Sequence, residues 1–317
     1  MTGEQINAAQ PTSPVARTGR PRLPALILLV LAAVVVTVPL LLGGYTLSLA
    51  TEALCWAIAA AALDLLVGYL GLTPLGHIAM WGLGGYAAAL LTKAGVPLPL
   101  TLLASALLAT LYSAITAPLA LRAGGIFFLM ITLAFAQMMQ ALAAKWSGLT
   151  GGTDGLTFSS GLSTVQLYLL TVGALAVTLL VLGRLVASPF GRVLGAIRQN
   201  ENRARALGYP VFAYKYGAVL IASAFIGLAG ALGAYHRGIV TPTDLFWLQS
   251  AVLLIMVLLG GTRSLWGPVI GALLYIVLQA VVSSHTDLWS GIVGLLLIAL
   301  VLSGKGGLWS LVQRRKA

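Results

Sequence analysis

Two acidic residues, Glu52 and Asp64, stand within or at the edge of one long apolar segment, where ionised side chains are uncommon. An ionisable group at membrane depth is costly unless it faces a polar interior, so each residue is a candidate for a translocation path. Their separation corresponds to about 18 Å along a helix, which is too far for them to act as a carboxylate pair. The alternative interpretation keeps Glu52 in the headgroup zone and lets Asp64 hydrogen-bond a neighbouring helix.

A histidine and two glutamines add further polar groups to the apolar sequence. His77 follows Pro74 and Gly76 in the stretch GLTPLGHIAMWGLGGYAAAL, whose composition is typical of a broken helix that exposes backbone groups to a cavity. The alternative for His77 is a packed side chain that a backbone carbonyl satisfies. Gln137 and Gln140 lie in a later apolar segment, where they either bind neighbouring helices or line a cavity.

Sequence motifs for catalysis are missing. The chain contains no Gly-x-x-x-x-Gly-Lys-Ser/Thr phosphate loop and no His-Glu-x-x-His, and its histidines are His77, His236 and His285. The single cysteine, Cys55, excludes an internal disulfide and a cysteine-based metal motif. We therefore predict no catalytic site, no metal and no cofactor in this chain, so that any ATP hydrolysis must occur on another chain.

A polar segment at residues 188–215, here called the basic island, interrupts the apolar sequence. Near-helical spacing of its apolar residues predicts a short helix over 192–206, which Gly208 and Pro210 then end. A charged segment of this kind either contacts a partner protein or lies against anionic lipid headgroups. One acid, Glu201, stands there among five basic residues: Arg192, Arg198, Arg203, Arg205 and Lys215.

Composition sets the fold class. With 59% hydrophobic residues, 8% charged residues and a mean hydropathy of +1.00, the chain differs from soluble globular domains. We predict an all-α polytopic membrane protein with about ten transmembrane helices, each needing about 20 apolar residues. The predicted spans are 23–42, 47–67, 73–92, 98–121, 125–145, 164–186, 214–235, 247–261, 267–284 and 287–303.

The distribution of basic residues predicts the topology. A net charge of +11 could indicate nucleic acid, but the basic residues cluster at the ends of apolar runs and in one loop, which membrane topology explains better. The positive-inside rule places a tail at 1–22, the basic island and a tail at 304–317 in the cytoplasm, around a membrane domain at 23–303. An alternative with eight spans treats 71–91 as a re-entrant segment.

Four motifs in order, over about residues 65–275, resemble those of one family. They are GYLGLTPLGHIAMWGLGGYAAALL, GGIFFLMITLAFAQMM followed by LTGGTDGL, the basic island SPFGRVLGAIRQNENRARALGYPVFAYK, and LLGGTRSLWGPVIGALL. This pattern is similar to that of LivM-type permeases, the membrane subunits of branched-chain amino acid ABC importers. In that family the cytoplasmic loop is similar to the coupling element that docks on the ATPase subunit.

The resemblance implies a function and a set of partners. It implies a permease that moves leucine, isoleucine or valine by alternating access, with both termini on the cytoplasmic side of the bacterial inner membrane. The implied partners are a second, LivH-type permease, two cytoplasmic ATP-binding subunits that hold ATP and Mg²⁺, an extracytoplasmic substrate-binding protein and the lipid bilayer. Nucleic acid is not among them.

Some residues depart from the family pattern. The usual Glu-Ala-Ala of the coupling loop is degenerate here, Thr73 and Pro74 replace the residues usual before Gly76, and Gln137 stands where glutamate is frequent. These departures leave urea or short amides as alternative cargo. A stand-alone carrier coupled to protons or sodium is a further alternative, for which Glu52 and Asp64 would be the ion sites.

These considerations select two groups of candidate site residues. For coupling to the ATPase we predict Arg192, Arg198, Glu201, Asn202, Arg203 and Gly208. For the substrate path we predict Asp64, His77, Thr132 and Gln137.

Overall fold

A computed structural model describes residues 43–159 and 161–285, together with residues 291, 294 and 295, all within one structural unit. The first predicted span, 23–42, lies outside the described residues, as do all but three residues of the last, 287–303. Both predicted tails, 1–22 and 304–317, also lie outside them.

The described chain is almost entirely helical, because apolar segments in lipid must satisfy their backbone hydrogen bonds within themselves. The α-helices are α1 (Gly44–Asp64), α2 (Ile78–Lys93), α3 (Leu98–Arg122), α4 (Ile126–Lys145), α5 (Ser147–Thr150), α6 (Thr164–Ala187), α7 (Pro189–Gln199), α8 (Glu201–Ala206), α9 (Val211–Arg237), α10 (Trp247–Gly260) and α11 (Trp266–Ser283). A π-helical turn, Leu65–Leu70, continues α1. Short 3-10 turns at Gly152–Asp154 and Pro242–Leu245 accompany two-residue strands β1 (Leu156–Thr157) and β2 (Ile239–Val240).

Six helical segments among the described residues are long and apolar enough to cross a membrane: α1 with its π-helical turn, α3, α4, α6, α9 and α11. The all-α polytopic class is thereby confirmed, whereas the predicted number of ten spans is not. Helices α2 and α10 have 16 and 14 residues. At 1.5 Å per residue they extend about 24 Å and 21 Å, less than the roughly 30 Å of a bilayer core.

Helix α1 forms the centre of the described fold. In its most apolar stretch 94% of the residues are buried, compared with 22% for α3 and for α4. Its run from Ala57 to Leu63 consists mainly of alanine, and small side chains let α6, α9 and α11 pack closely around it. In contrast, α3 presents leucine and isoleucine outward, with Leu107 68% and Ile115 65% exposed. The peripheral helices therefore carry the apolar surface suited to lipid or to other subunits.

Glycines bring α2 and α9 into backbone contact. A Cβ on Gly84 would collide with the carbonyl oxygen of Gly227, and one on Gly230 would collide with that of Trp81. Without a hydrophobic driving force in lipid, such close approach is what holds helices together. The glycine-rich sequence after His77 therefore fixes α2 against α9.

The segment that joins α1 to α2 is not helical. The π-helical turn ends at Gly71, whose φ of 79° suits glycine, and α2 begins only at Ile78. Pro74 disfavours the helical conformation of the residue before it, so the predicted span 73–92 begins as irregular chain. This agrees with the broken helix expected there, and the re-entrant alternative for 71–91 remains a prediction.

Candidate functional site

A cavity of about 270 Å³, here called the Glu52 cavity, lies where α1, α2, α9, α10 and α11 converge. Each of four helices presents one face to it through residues three or four positions apart, as side chains on one helix face must be. From α1 these are Glu52, Cys55 and Trp56, and from α9 they are Gly233, His236 and Arg237. Helices α10 and α11 add Gln249, Val252, Met256, Ile276 and Gln279.

Two tryptophans form a flat wall of the cavity. The rings of Trp56 and Trp81 stack with their centroids 4.7 Å apart and an interplanar angle of 16°. Gly233 makes room for this pair, because a Cβ there would lie 2.6 Å from the Trp81 ring. The cavity thus combines a rigid aromatic surface with polar groups from α1 and α9.

Opposite charges face the same cavity. Arg237 donates from its Nε to the carbonyl of Gly233 at 3.3 Å and forms an ion pair with Asp244 through Nη1. The Nε2 of His236 lies 3.3 Å from the hydroxyl of Ser48. Glu52 has no ion-pair partner within 4 Å in the part of the chain that the structure describes. The cavity is therefore lined by a carboxylate without an ion pair among the described residues and by a guanidinium that has further N–H donors.

Asp64 lies at the other end of α1, outside the Glu52 cavity. Its Oδ1 accepts a hydrogen bond of 3.1 Å from the backbone N–H of Arg263, in the turn between α10 and α11. The Oδ2 is buried without a partner among the described residues. Gly68 leaves the space for this carboxylate, since a Cβ there would lie 2.6 Å from the Arg263 nitrogen. Asp64 thus joins α1 to the turn after α10.

His77 and Thr132, both predicted for the substrate path, lie close together. Both line a second cavity of only about 20 Å³, next to Tyr112 and Thr116. The Thr132 hydroxyl accepts from the backbone N–H of Leu75 at 3.3 Å. His77 is buried, as its packed alternative expects, but neither ring nitrogen has a hydrogen-bond partner among the described residues.

Gln137 is half-buried on α4 and lines neither cavity. Its Oε1 is buried and has no partner in the described chain. The four residues predicted for the path therefore fall in three places: Asp64, the His77–Thr132 cavity, and Gln137.

The basic island forms two helices rather than the single helix predicted over 192–206. Asn200 adopts an extended conformation, φ −161° and ψ 103°, between α7 and α8. Its side chain accepts from the backbone N–H of Arg203 at 2.9 Å, which is an N-cap and starts a new helix. The predicted stop is present, because Gly208 has a φ of 85°. The prediction of one helix followed the apolar spacing, which is continuous across Asn200. The side chain of Asn200, however, hydrogen-bonds the backbone and so competes with continuation of the helix.

The charged side chains of the island differ in their surroundings. Arg192, Asn202 and Arg203 are exposed. Glu201 instead pairs within the island, with Arg205 at 3.0 Å and Lys215 at 2.6 Å. The pair with Arg205 lies within α8, and the pair with Lys215 holds α8 against the start of α9.

Arg198 connects the island to the membrane helices. Its aliphatic stem packs on Gly71, where a Cβ would lie 3.0 Å from its Cγ. Burial and the neighbouring positive charge of Arg263 lower the pKa of Arg198, and the nearby Asp64 opposes that effect. We call Asp64, Arg198 and Arg263 the Asp64 junction, because these residues bring α1, α7 and the turn after α10 together.

A third cavity, of about 540 Å³, lies beside the Asp64 junction. It is bordered by Leu70–Thr73 of the α1–α2 connection, by 121–129 and by Arg198 to Glu201 of the island. The island is therefore in direct contact with the segment that leads into the broken helix.

The residues predicted for the substrate path do not include those that line the Glu52 cavity. Glu52 drew attention as an isolated acid, but Trp81, His236, Arg237, Gln249 and Gln279 did not. The spacing of Glu52, Cys55 and Trp56 was a usable signal, as were glutamines in otherwise apolar helices. What the sequence lacked was the pairing of α1 with four helices distant along the chain.

Comparison with known proteins identifies the family. Residues 45–301 match the family described as "Branched-chain amino acid transport system / permease component". The chain is 27% identical over 315 residues to the "High-affinity branched-chain amino acid transport system permease protein LivM" of Escherichia coli (strain K12), covering 89% of this chain and 74% of that protein. The Salmonella typhimurium protein of the same name is 27% identical over 319 residues, with the same shares.

A more distant organism provides a local match. The "Probable branched-chain amino acid transport permease protein LivM" of Methanocaldococcus jannaschii is 34% identical over 105 residues, 32% of this chain and 30% of that protein. No solved structure matches significantly. The chain belongs to the branched-chain amino acid permease family, as the four sequence motifs predicted.

Proposed function

We propose that this member of the branched-chain amino acid permease family is the membrane subunit of an ATP-driven importer for leucine, isoleucine and valine. The observation that carries the proposal is the family match, which extends over 45–301 and so includes the Glu52 cavity, the Asp64 junction and the basic island. The relatives with the longest matches carry branched-chain amino acid transport in their names.

The sequence contains no phosphate-binding loop, so the energy source in this proposal is a pair of separate ATPase subunits. They bind ATP and Mg²⁺ and contact the basic island from the cytoplasm. A second permease completes the pathway, and an extracytoplasmic protein delivers the substrate. The importer lies in the plasma membrane with both termini of this chain inside.

In the proposed mechanism α1 transmits the motion. Closure of the ATPase dimer displaces α7 and α8, and Arg198 passes this displacement to Gly71 and to the Asp64 junction. Asp64 and Glu52 stand about 18 Å apart on one helix. A shift or rotation of α1 at the junction therefore changes the Glu52 cavity, which is what alternating access between two states requires.

The charges of the Glu52 cavity favour an amino acid over urea or short amides, because those molecules have no ammonium to pair with Glu52. The ion-coupled carrier would use Glu52 and Asp64 as its ion sites. Asp64 instead receives a backbone hydrogen bond at a junction of helices.

Reconstitution tests the proposal. The complete transporter in proteoliposomes is expected to accumulate radiolabelled leucine only with ATP and binding protein present, while this chain alone takes up none. Leucine uptake by this chain alone, driven by a proton or sodium gradient, would show the carrier alternative to be correct. Uptake of urea in place of leucine would identify the wrong cargo.

A further inference from the structure

We propose that the Glu52 cavity binds the substrate as a zwitterionic α-amino acid, with its ammonium on Glu52, its carboxylate on Arg237 and its side chain against the Trp56–Trp81 wall. This proposal rests on the proposed function, since it names the site at which the importer holds its cargo. Neither the family match nor the names of the relatives assign any of these residues.

The size of the cavity suits such a ligand. At about 270 Å³ it is larger than an engineered cavity of roughly 150 Å³ that accommodates benzene. It is slightly smaller than typical pockets for drug-sized ligands, which start at about 300 Å³. A molecule with the nine non-hydrogen atoms of leucine falls between these limits, whereas urea would leave most of the space to water.

Glu52 supplies the recognition of a positive charge. It is half-buried on the central helix, lines the cavity together with His236, and has no ion pair within 4 Å among the described residues. A carboxylate in such surroundings is costly unless a ligand or water neutralises it. The ammonium of an amino acid provides three donors and a full positive charge for that position.

Arg237 supplies the opposite charge in a fixed orientation. Guanidinium has five N–H donors, of which Gly233 and Asp244 engage one each. Asp244 is itself held, because its Oδ2 accepts from the backbone N–H of Thr241 at 2.9 Å. Asp244 balances the charge of the guanidinium, and its remaining N–H donors fit the carboxylate of a ligand.

The rest of the lining is suited to a branched aliphatic side chain. Trp56 and Trp81 form the flat wall, and Val252, Met256 and Ile276 complete an apolar surface. Burying such a side chain contributes by removing apolar area from water. One part of the cavity thus carries the charged groups that would bind the ammonium and carboxylate of the amino acid. The other part is apolar and would contact its side chain.

Photolabelling of the complete wild-type transporter tests the site directly. The probe is a leucine analogue with a diazirine in its side chain, applied without ATP or binding protein so that neither delivery nor coupling affects the result. Peptide mapping is expected to find the label on Trp56, Val252, Met256 or Ile276, and excess leucine should suppress it. Label confined to other parts of the chain, or competition by urea as effective as by leucine, would overturn the proposal.

The role of Glu52 is tested by comparing competitors with and without the ammonium that Glu52 would bind. Isocaproate has the side chain and carboxylate of leucine but no ammonium, so it should compete for labelling about ten- to a hundredfold less well than leucine, as expected for one lost charge-assisted hydrogen bond. Glu52→Gln should abolish this discrimination, and Glu52→Asp should keep it. The matched control Asp154→Asn changes an exposed acid outside the cavity and should leave the discrimination intact.

The outcomes separate the site from the function. Equal competition by leucine and isocaproate in the wild type contradicts the role of Glu52 even when Glu52→Gln does not fold. Normal leucine uptake together with label away from the cavity overturns the site but leaves the proposed function standing. Failure of the complete wild-type transporter to take up leucine overturns the proposed function itself.

Discussion

Replacing Gly68 by alanine is expected to break the Asp64 junction. Gly68 lies in the π-helical turn one turn after Asp64, and the carboxylate occupies the space that a side chain would need. A Cβ there would overlap Asp64 Oδ1 and lie 2.6 Å from the backbone nitrogen of Arg263. Because both neighbours are fixed by the same 3.1 Å hydrogen bond, relief of the overlap requires that bond to break.

The magnitude follows from three contributions. Loss of a hydrogen bond to a charged group costs about 1.5–3 kcal/mol, and overpacking a filled site costs about 1–3 kcal/mol. Alanine recovers up to about 1 kcal/mol through its helix propensity relative to glycine. The net free energy of unfolding should therefore fall by about 1.5–5 kcal/mol, because Asp64 is only 1% exposed and water cannot replace the lost partner.

The assay is the thermal midpoint of the purified transporter in detergent, read as the folded fraction that remains on size-exclusion chromatography after heating. At about 2 °C per kcal/mol for a chain of this size, Gly68→Ala should lower the midpoint by about 3–10 °C. The matched control is Gly173→Ala, in the middle of α6, where a Cβ would meet nothing within 4 Å. This control should keep the midpoint or raise it slightly.

A double substitution distinguishes the overlap from a general loss of flexibility. Asp64→Ala removes the carboxylate that the new methyl group would strike. Gly68→Ala added to Asp64→Ala should therefore cost less than Gly68→Ala alone, because only the overlap with the Arg263 nitrogen remains, a coupling expected of residues in contact. The reasoning is refuted if the two glycine substitutions shift the midpoint equally, or if the costs of Gly68→Ala and Asp64→Ala simply add.

Further predictions concern the basic island and the α2–α9 contact. Charge reversal at Arg198 and Arg203 together should leave ATP hydrolysis but abolish leucine uptake, and unchanged uptake in proteoliposomes would contradict their role in coupling. Gly208→Val should lower the free energy of unfolding by at least about 1 kcal/mol, because a β-branched residue is strained at a φ of 85°. Its control, Gly195→Ala, has open space around the new methyl group and should leave the midpoint of the same heating assay unchanged. Gly230→Ala should prevent α2 and α9 from touching and reduce the amount of folded protein in the membrane, measured by chromatography of detergent extracts.

Local chemistry made much of this fold predictable. Eight predicted spans have a helix in the described residues, because each apolar run must satisfy its own backbone in lipid. The stop at Gly208 was predictable for the same kind of reason, since a left-handed residue after a helix is most easily glycine. The break at Asn200 was not predicted, because the apolar spacing continues across it. Asn200 nevertheless ends one helix and caps the next.

The site was less predictable because it depends on contacts between distant segments. Asp64 was selected for the path as a costly acid, but its partner is the backbone of Arg263, 199 positions along the chain. Arg237 and Trp81 lie in parts of the sequence that look like a helix end and a glycine-rich helix. Only the convergence of five helices gives them a common cavity with Glu52.

The position of the two acids on α1 connects these observations. An acid in a membrane helix needs compensation, and the structure provides it differently at each end. At Asp64 the compensation is internal, from the Arg263 backbone and the nearby charges of Arg198 and Arg263, so it depends on how the island and the α10–α11 turn are placed. At Glu52 an ion pair is missing within the described residues, and the proposed site assigns the compensation to the ammonium of the substrate. In the proposed importer, one central helix therefore carries an acid next to the coupling loop at one end and an acid at the proposed substrate site at the other.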